Sequence, residues 1–297
     1  MQSNVITAVF LPVALGVIML GLGLSLTLAD FRRVLVHPRA VIVGLVCQTL
    51  LLPLVCFGIA RAFALPPELA VGLMLLAASP GGATANLFSH LAKGDVALNI
   101  TLTAVNSLVS LFTMPLIVSV SLAAFLGEDR SVPLSAAKII QVFVIVLGPV
   151  AIGMLVRARR IDLAKRLDRP VRILSALFLA LVIAATVAKE RANLGDYFRQ
   201  VGLAALAFNL ASMAVGFFVP RAARIVRRQS IAIAMEIGIH NGTLAIAIAS
   251  TVLGRGTMAI PAAIYSLIMF VTAAVFGFLV QRRAAADESE ATAAAAS

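Results

Sequence analysis

The chain has 297 residues, of which 61% are apolar and only 12% charged, with a formal net charge of +11. A soluble domain carries about 25% charged residues, whereas at about 20 apolar residues per span this chain could supply about nine membrane helices. The composition excludes a water-soluble globular domain, and with it a nucleic-acid reader, despite the basic balance.

Apolar runs between charged breaks fall at roughly 5–29, 38–60, 67–92, 95–125, 133–156, 171–188, 200–220, 229–253 and 258–281. Nine transmembrane helices are therefore expected, the fourth long enough to tilt or to project from the bilayer. Met1 to Asn4 has no basic stretch and the first run is long enough to stay in the membrane, so no removable signal peptide is expected. Residues 1–281 form the membrane domain in this reading, and the polar, Ala-rich stretch 282–297 a disordered cytoplasmic tail. Cys47 and Cys56 lie nine residues apart, about 900° around a helix, and read as two small buried hydrophobes rather than a disulfide or metal pair.

The basic residues orient the spans. With the N-terminus outside, seventeen Lys and Arg fall on inward loops, among them Arg32, Arg33, Lys93, Arg157, Arg221 and Arg227, against seven on outward loops. That bias predicts a multi-pass membrane protein with its C-terminus inside the cell, and it assigns the net charge to contact with lipid headgroups. Of thirteen acidic residues, twelve lie in loops, at span ends or in the tail. The exception is Glu236, in Ile231-Ala-Ile-Ala-Met-Glu-Ile-Gly-Ile-His-Asn-Gly242. An ionisable group at that depth marks a cavity, an ion path or a charged partner.

Two spans are interrupted. The third carries Ser79-Pro80-Gly81-Gly82 in its middle, and the eighth carries Gly238 and Gly242 around His240 and Asn241. Proline removes a backbone donor and glycine frees the chain to unwind. Broken segments at matching positions in two halves point to a transporter binding site, because bare carbonyls at mid-membrane are tolerated where they line a cavity. Around the breaks lie Gln48, Thr84, Asn86, Asn99, Thr103, Asn106 and Ser107, and Asn99 and Thr103 share a helix face. Carboxylate, amide and hydroxyl oxygens suit a hard cation, and no transition-metal set is present. Half-helices starting after Gly82 and Gly242 present positive dipole ends, which suit an anion.

At these residues the chain resembles the bile acid:sodium symporter family in its bacterial branch. The resemblance runs over Met19-Leu-Gly-Leu-Gly-Leu-Ser-Leu26, Asp30-Phe31 and His37-Pro38. It is carried furthest by Pro80-Gly-Gly-Ala-Thr-Ala-Asn86, Leu91-Ala-Lys-Gly-Asp-Val-Ala-Leu98 and Glu236-Ile-Gly-Ile-His-Asn-Gly-Thr-Leu-Ala245. It implies an all-α inverted-repeat fold, with repeats at about 5–125 and 133–281, one helix fewer than the ten-helix plan, and two broken, crossing helices. A core domain of spans 2, 3, 4, 7, 8 and 9 would move against a panel of spans 1, 5 and 6. It further implies one sodium site at Asn86, Asn99, Thr103 and Glu236. A second would use Gln48, Glu236, the carbonyls of Ile237 and Ile239, and the residue at 240.

Three departures stand out. Ala85 replaces a serine ligand, Asn99 replaces a serine, and His240 replaces a glutamine whose amide oxygen would face the second sodium. An imidazole offers no oxygen and is the side chain whose charge changes most readily near neutral pH, so a weakened second site or partial replacement of sodium by a proton is expected there. Met269-Phe270 replaces polar residues that some relatives place near the substrate, which argues against bile-salt-like contacts.

The expected function is sodium-coupled symport of a small organic anion, of bile-salt, pantoate or keto/hydroxy-acid class, by alternating access. Thr84, Asn241, Gly82 and Gly242 are the expected anion contacts, sodium the sole metal, and the bilayer the surrounding partner. No enzyme constellation is present. The rival readings are a proton-coupled or sodium-independent anion carrier, an efflux permease of related fold (which would want a cysteine near the first break), and a ligand sensor. The anion, the sodium stoichiometry and the oligomeric state stay open at this stage.

Overall fold

The computed structural model describes residues 11–82, 84–127, 136–167, 169–171, 173, 174, 177 and 194–296. Twelve helices organise them: α1 Leu11–Ser25, α2 Leu28–Arg32, α3 Pro38–Val46, α4 Leu52–Ala62, α5 Pro67–Ala78, α6 Thr84–Leu91, α7 Val96–Leu126, α8 Ala136–Arg159, α9 Leu194–Ala222, α10 Arg227–Gly238, α11 Gly242–Thr251 and α12 Ile260–Ala296. No strand occurs among the described residues beyond one isolated bridge. Most of the sixth expected span, 171–188, and the start of the first lie outside the described residues.

Helix starts follow local chemistry. Thr27 and Asp30 form a reciprocal capping box on α2, Pro38 and Pro67 open α3 and α5 where no N–H is needed, and Asp95 accepts from Leu98 N at 3.1 Å to cap α7. One feature lay beyond the periodicity. Between α3 and α4 the turn Cys47–Leu51 widens to a π-helix, Leu52 N–H reaching back five residues to Cys47 O. Pro53, next in line, has no N–H and its ring crowds the carbonyl of Thr49, which accounts for the widened turn.

Four segments are long and apolar enough to cross a membrane: Pro38–Ala62, Val96–Leu126, Gly195–Ala222 and Gly256–Arg282. They flank the two broken segments, so the order long, broken, long occurs twice. The broken halves are the centre of the molecule: Leu69 to Ala78 of α5 and Ser230 to Gly238 of α10 are buried throughout. The turns leading into them match in detail. Ala64 and Arg224, 160 residues apart, both adopt positive φ. Leu65 N bonds Ala60 O as Ile225 N bonds Pro220 O, and Ala70 N bonds Pro66 O as Ser230 N bonds Val226 O.

Away from this core, α1 packs on α8, and their backbones touch at Gly23 and Gly153, where a Cβ on either would strike the facing main chain. The Ala-rich stretch 282–296 is helical. It continues α12 to Ala296, in line with alanine's helix propensity, the highest of any residue. Cys47 and Cys56 are free and buried, as their spacing implied.

Candidate functional site

Both interruptions lie where Pro80, Gly81, Gly82, Gly238 and Gly242 placed them. α5 ends at Ala78, Ser79 turns extended at ψ 146°, and α6 begins at Thr84. α10 ends at Gly238, Ile239 leaves the helical region, and α11 begins at Gly242. The two extended stretches lie antiparallel. Gly82 N–H donates to Ile239 O at 2.7 Å and Asn241 N–H to Pro80 O at 2.8 Å, closing a bridge between Gly81 and His240. Each break thus satisfies backbone groups of the other, as the apolar interior demands.

Glu236 is fully buried against this crossing. Thr103 Oγ donates to its Oε2 at 2.6 Å and Asn106 Nδ2 to its Oε1 at 3.3 Å. The Gly81 backbone lies so close that a Cβ there would overlap the carboxylate, so glycine at 81 is required for approach. One turn along, Asn99 Nδ2 donates to Ala232 O at 2.7 Å. The face shared by Asn99 and Thr103 therefore meets the face shared by Ala232 and Glu236. Helix α7 thus contributes two side-chain donors to the carboxylate, Thr103 and Asn106.

The amides share one orientation. Gln48, turned inward by the π-helical turn, commits its Nε2 to Ala77 O and Ser79 O at 3.2 and 2.8 Å. With the nitrogens engaged, Gln48 Oε1, Asn99 Oδ1 and Asn106 Oδ1 are buried and make no hydrogen bond among the described residues. Burying a carbonyl oxygen without a partner is costly; Asn106 touches the Glu236 carboxylate, Asn99 reaches α10 one turn away and Gln48 sits on the first break, so all three offer hard oxygen donors around the crossing. Asn86, on α6, is half-buried nearby in sequence to the first break. Among the described residues no group of three His, Cys, Asp or Glu could hold a transition metal.

Position 240 is built differently. The imidazole stacks on Phe208 at 5.6 Å and meets Tyr265 edge-on at 5.4 Å, with Nδ1 3.3 Å from Ser79 O. Its Nε2 is buried without a hydrogen-bond partner among the described residues. Gly238 O, freed by the break, accepts from Asn209 Nδ2 and Tyr265 OH, both at 2.9 Å. Asn209 and Tyr265 escaped the sequence reading. Asn209 was open to the same audit that found Glu236, a search for polar groups stranded mid-span, applied to amides as well as acids.

The four expected anion contacts separate. Thr84 is exposed and Asn241 half-buried, while Gly82 and Gly242 are buried and their N–H groups bond Ile239 O and His240 O. The Gly82 amide holds the crossing together, whereas the Gly242 amide closes a tight turn within its own break. Asn241 Oδ1 caps α11 through Leu244 N at 3.0 Å, which leaves its Nδ2 donors for a ligand. The polar groups thus divide into a buried cluster behind the crossing and an accessible pair at the starts of α6 and α11.

Comparison with known proteins agrees with the resemblance. The sequence profile described as the Sodium Bile acid symporter family matches residues 12–196. The uncharacterized sodium-dependent transporter YocS of Bacillus subtilis (strain 168) is 30% identical over 259 residues, covering 87% of this chain and 78% of that protein. The probable chloroplastic sodium/metabolite cotransporter BASS2 of Oryza sativa subsp. japonica is 29% identical over 253 residues, 85% of this chain and 59% of its own length. The probable chloroplastic sodium/metabolite cotransporter BASS1 of Arabidopsis thaliana is 25% identical over 281 residues, 95% of this chain and 69% of its own. With an all-helical fold, several membrane-length apolar helices and a profile match over more than half its residues, the chain is a multi-pass membrane protein of the Sodium Bile acid symporter family, a family of transporters and not of enzymes.

Proposed function

We propose that the protein is a secondary active transporter that couples sodium entry to uptake of a small organic anion by alternating access. The observation that carries the reading is the buried carboxylate of Glu236 with three unpartnered amide oxygens, of Gln48, Asn99 and Asn106, at the crossing of two broken helices. The names of the Bacillus and plant relatives, sodium-dependent transporter and sodium/metabolite cotransporter, support the same coupling. In this reading Glu236, Thr103, Asn99 and Asn86 hold one sodium ion, with Asn106 beside them. Sodium neutralises the buried carboxylate and favours the conformation in which the crossing is closed around it, and that differential affinity links ion binding to movement. At the second position His240 sets a ring nitrogen where an amide oxygen is wanted, beside Gln48 and the carbonyls of Ile237 and Ile239, so one sodium per cycle is the stoichiometry.

The anion sits on the accessible side, against Thr84 and Asn241 and the positive ends of α6 and α11. The membrane domain spans 1–281 in nine helices, with repeats at about 5–125 and 133–281 inverted relative to each other, N-terminus outside and C-terminus in the cytoplasm of a bacterial cell. The 160-residue recurrence of the turns at Ala64 and Arg224 supports the repeats. Uptake of taurocholate, pantoate and pyruvate into proteoliposomes, with and without an inward sodium gradient, tests the function. Sodium-driven accumulation of one of them, lost in Glu236→Gln, is expected. Transport by Glu236→Gln at the parent rate would refute the coupling role.

A further inference from the structure

Glu236 and Gly238 stand about 200° apart around the last turn of α10, at 100° per residue, and so lie on opposite sides of it. Glu236 meets α7 through Thr103 and Asn106, whereas Gly238 abuts Met213 of α9. Along α9, Asn209, Met213 and Gly216 recur at four- and three-residue steps and form one ridge against α10. The contact is close: a Cβ at Gly216 would strike Ala234, and one at Gly238 would strike Met213. Where the ridge passes the end of α10, Asn209 Nδ2 and Tyr265 OH, the latter from α12, both donate to Gly238 O at 2.9 Å. Thr272, two turns along α12 from Tyr265, donates to Asn209 Oδ1, so both ends of that amide are engaged. Asn209 and Tyr265 are fully buried.

The first break has an amide in a matching place and a different state. Gln48 Nε2 holds Ala77 O and Ser79 O, but its Oε1 makes no hydrogen bond among the described residues. Gln48 keeps an oxygen for a cation, whereas the oxygen of Asn209 is taken by Thr272. What Asn209 and Tyr265 can do is fix a peptide plane. Gly238 O belongs to the peptide whose N–H is that of Ile239, and the next carbonyl, Ile239 O, accepts from Gly82 N–H at 2.7 Å. Gly82 carries Gly81 with it, and Gly81 lies so near the Glu236 carboxylate that a Cβ there would overlap it. From clamp to carboxylate the path is one peptide, one backbone hydrogen bond and one van der Waals contact.

We propose that Asn209 and Tyr265, braced by Thr272, are positioning residues of the ion site: they touch no cation and set how closely Gly81 closes on Glu236. The proposal rests on the sodium reading above. Sodium-dependent melting of the purified full chain, with choline chloride holding ionic strength constant, tests it, because a change that is only structural lowers the melting temperature without moving the sodium concentration for half-maximal stabilisation. Tyr265→Phe deletes the hydroxyl and keeps the ring that meets His240 edge-on. Thr272→Val removes the brace and leaves Asn209 in place, and Thr272→Ser keeps the hydroxyl. Half-saturation is expected to rise about threefold in Tyr265→Phe and in Thr272→Val, the equivalent of one membrane hydrogen bond of average strength, and to match the parent in Thr272→Ser. Ser121→Ala is the control: it loses a fully buried hydroxyl bonded to Ile117 O, about 27 Å along α7 from Thr103 at 1.5 Å per residue, and should leave half-saturation unchanged. Should Tyr265→Phe fail to fold, the half-buried Thr272 carries the test through its isosteric variant. Unchanged half-saturation in both variants, with or without a lowered melting temperature, would make the clamp structural and overturn the proposal, and a rise in Tyr265→Phe alone would strike Thr272 from it. A parent protein that sodium does not stabilise would overturn the sodium reading and this one with it, so the two failures are distinguishable.

Discussion

Thr103→Val removes one oxygen from the proposed cation site and little else. Valine reproduces the shape of threonine, and position 103 is 4% exposed, so no cavity is opened. The lost hydroxyl is the 2.6 Å donor to Glu236 Oε2 and also lies 3.0 Å from Asn99 O. Asn106 Nδ2 at 3.3 Å then remains on the carboxylate. A hydrogen bond to a charged group contributes about 1.5–3 kcal/mol in soluble proteins, and side-chain hydrogen bonds inside membranes average about 0.6 with a maximum near 1.7. A value of about 1–2 kcal/mol spans these and corresponds to a roughly 5- to 30-fold loss of sodium affinity. The assay is the melting temperature of the purified protein against sodium chloride, with choline chloride holding ionic strength constant, since a ligand that binds only the folded state raises it by mass action. The sodium concentration for half-maximal stabilisation should rise by that factor in Thr103→Val and stay within about twofold in Thr103→Ser, which keeps the oxygen. A Thr103→Val curve that overlays the parent, or one that is lowered equally with and without sodium, would show that Thr103 is structural and outside the ion site.

Gly81→Ala drives a Cβ into the Glu236 carboxylate and should lower stability by about 1–3 kcal/mol while abolishing the sodium-dependent melting shift. Gly58→Ala, whose Cβ meets nothing within 4 Å, is the control and should melt at or slightly above the parent temperature. His240→Gln returns an amide oxygen to the second position and should raise the Hill coefficient of sodium-driven uptake from about 1 toward 2, the value for two coupled ions; a coefficient that stays at one would remove position 240 from the ion path. Tyr265→Phe deletes one of the two donors on Gly238 O and should cost about 0.6 kcal/mol in thermal unfolding, with Asn209→Leu costing more because it removes both a donor to Gly238 O and an acceptor of Thr272.

Much of the core was legible because its cues are chemical exceptions. A Pro-Gly-Gly in an apolar run, and one acid among apolar neighbours, stand out against a background selected for hydrophobicity, and both fell at the crossing. The pairing of Asn99 with Thr103 followed from helix period alone, and their partners at Ala232 and Glu236 repeat the same four-residue step. The π-helical turn at Cys47–Leu51 was not legible, because Pro53 in an apolar helix permits a kink, a bulge or a simple start. The same is true of the glycine amides at 82 and 242. Sequence shows that they begin half-helices, and only the structure shows that the Gly82 N–H is engaged across the crossing and the Gly242 N–H within its own break. The tail at 282–296 reads as polar and Ala-rich, and alanine's helix propensity is what continues α12 through it.

The recurrence that relates Ala64 to Arg224 also relates Leu76 to Glu236, again 160 residues on, and both side chains are fully buried. At equivalent places in two matching halves, one carries a hydrocarbon and the other a carboxylate. In the proposed alternating-access cycle, a frame built twice from the same plan treats its two end states as near equals, since exchanging the roles of the halves exchanges the states. An ion held by one half breaks that equivalence. In that cycle the architecture would supply reversibility and a single side chain direction, so a carboxylate added at 76 with Glu236 removed would turn the load from one half to the other while leaving the frame as it is.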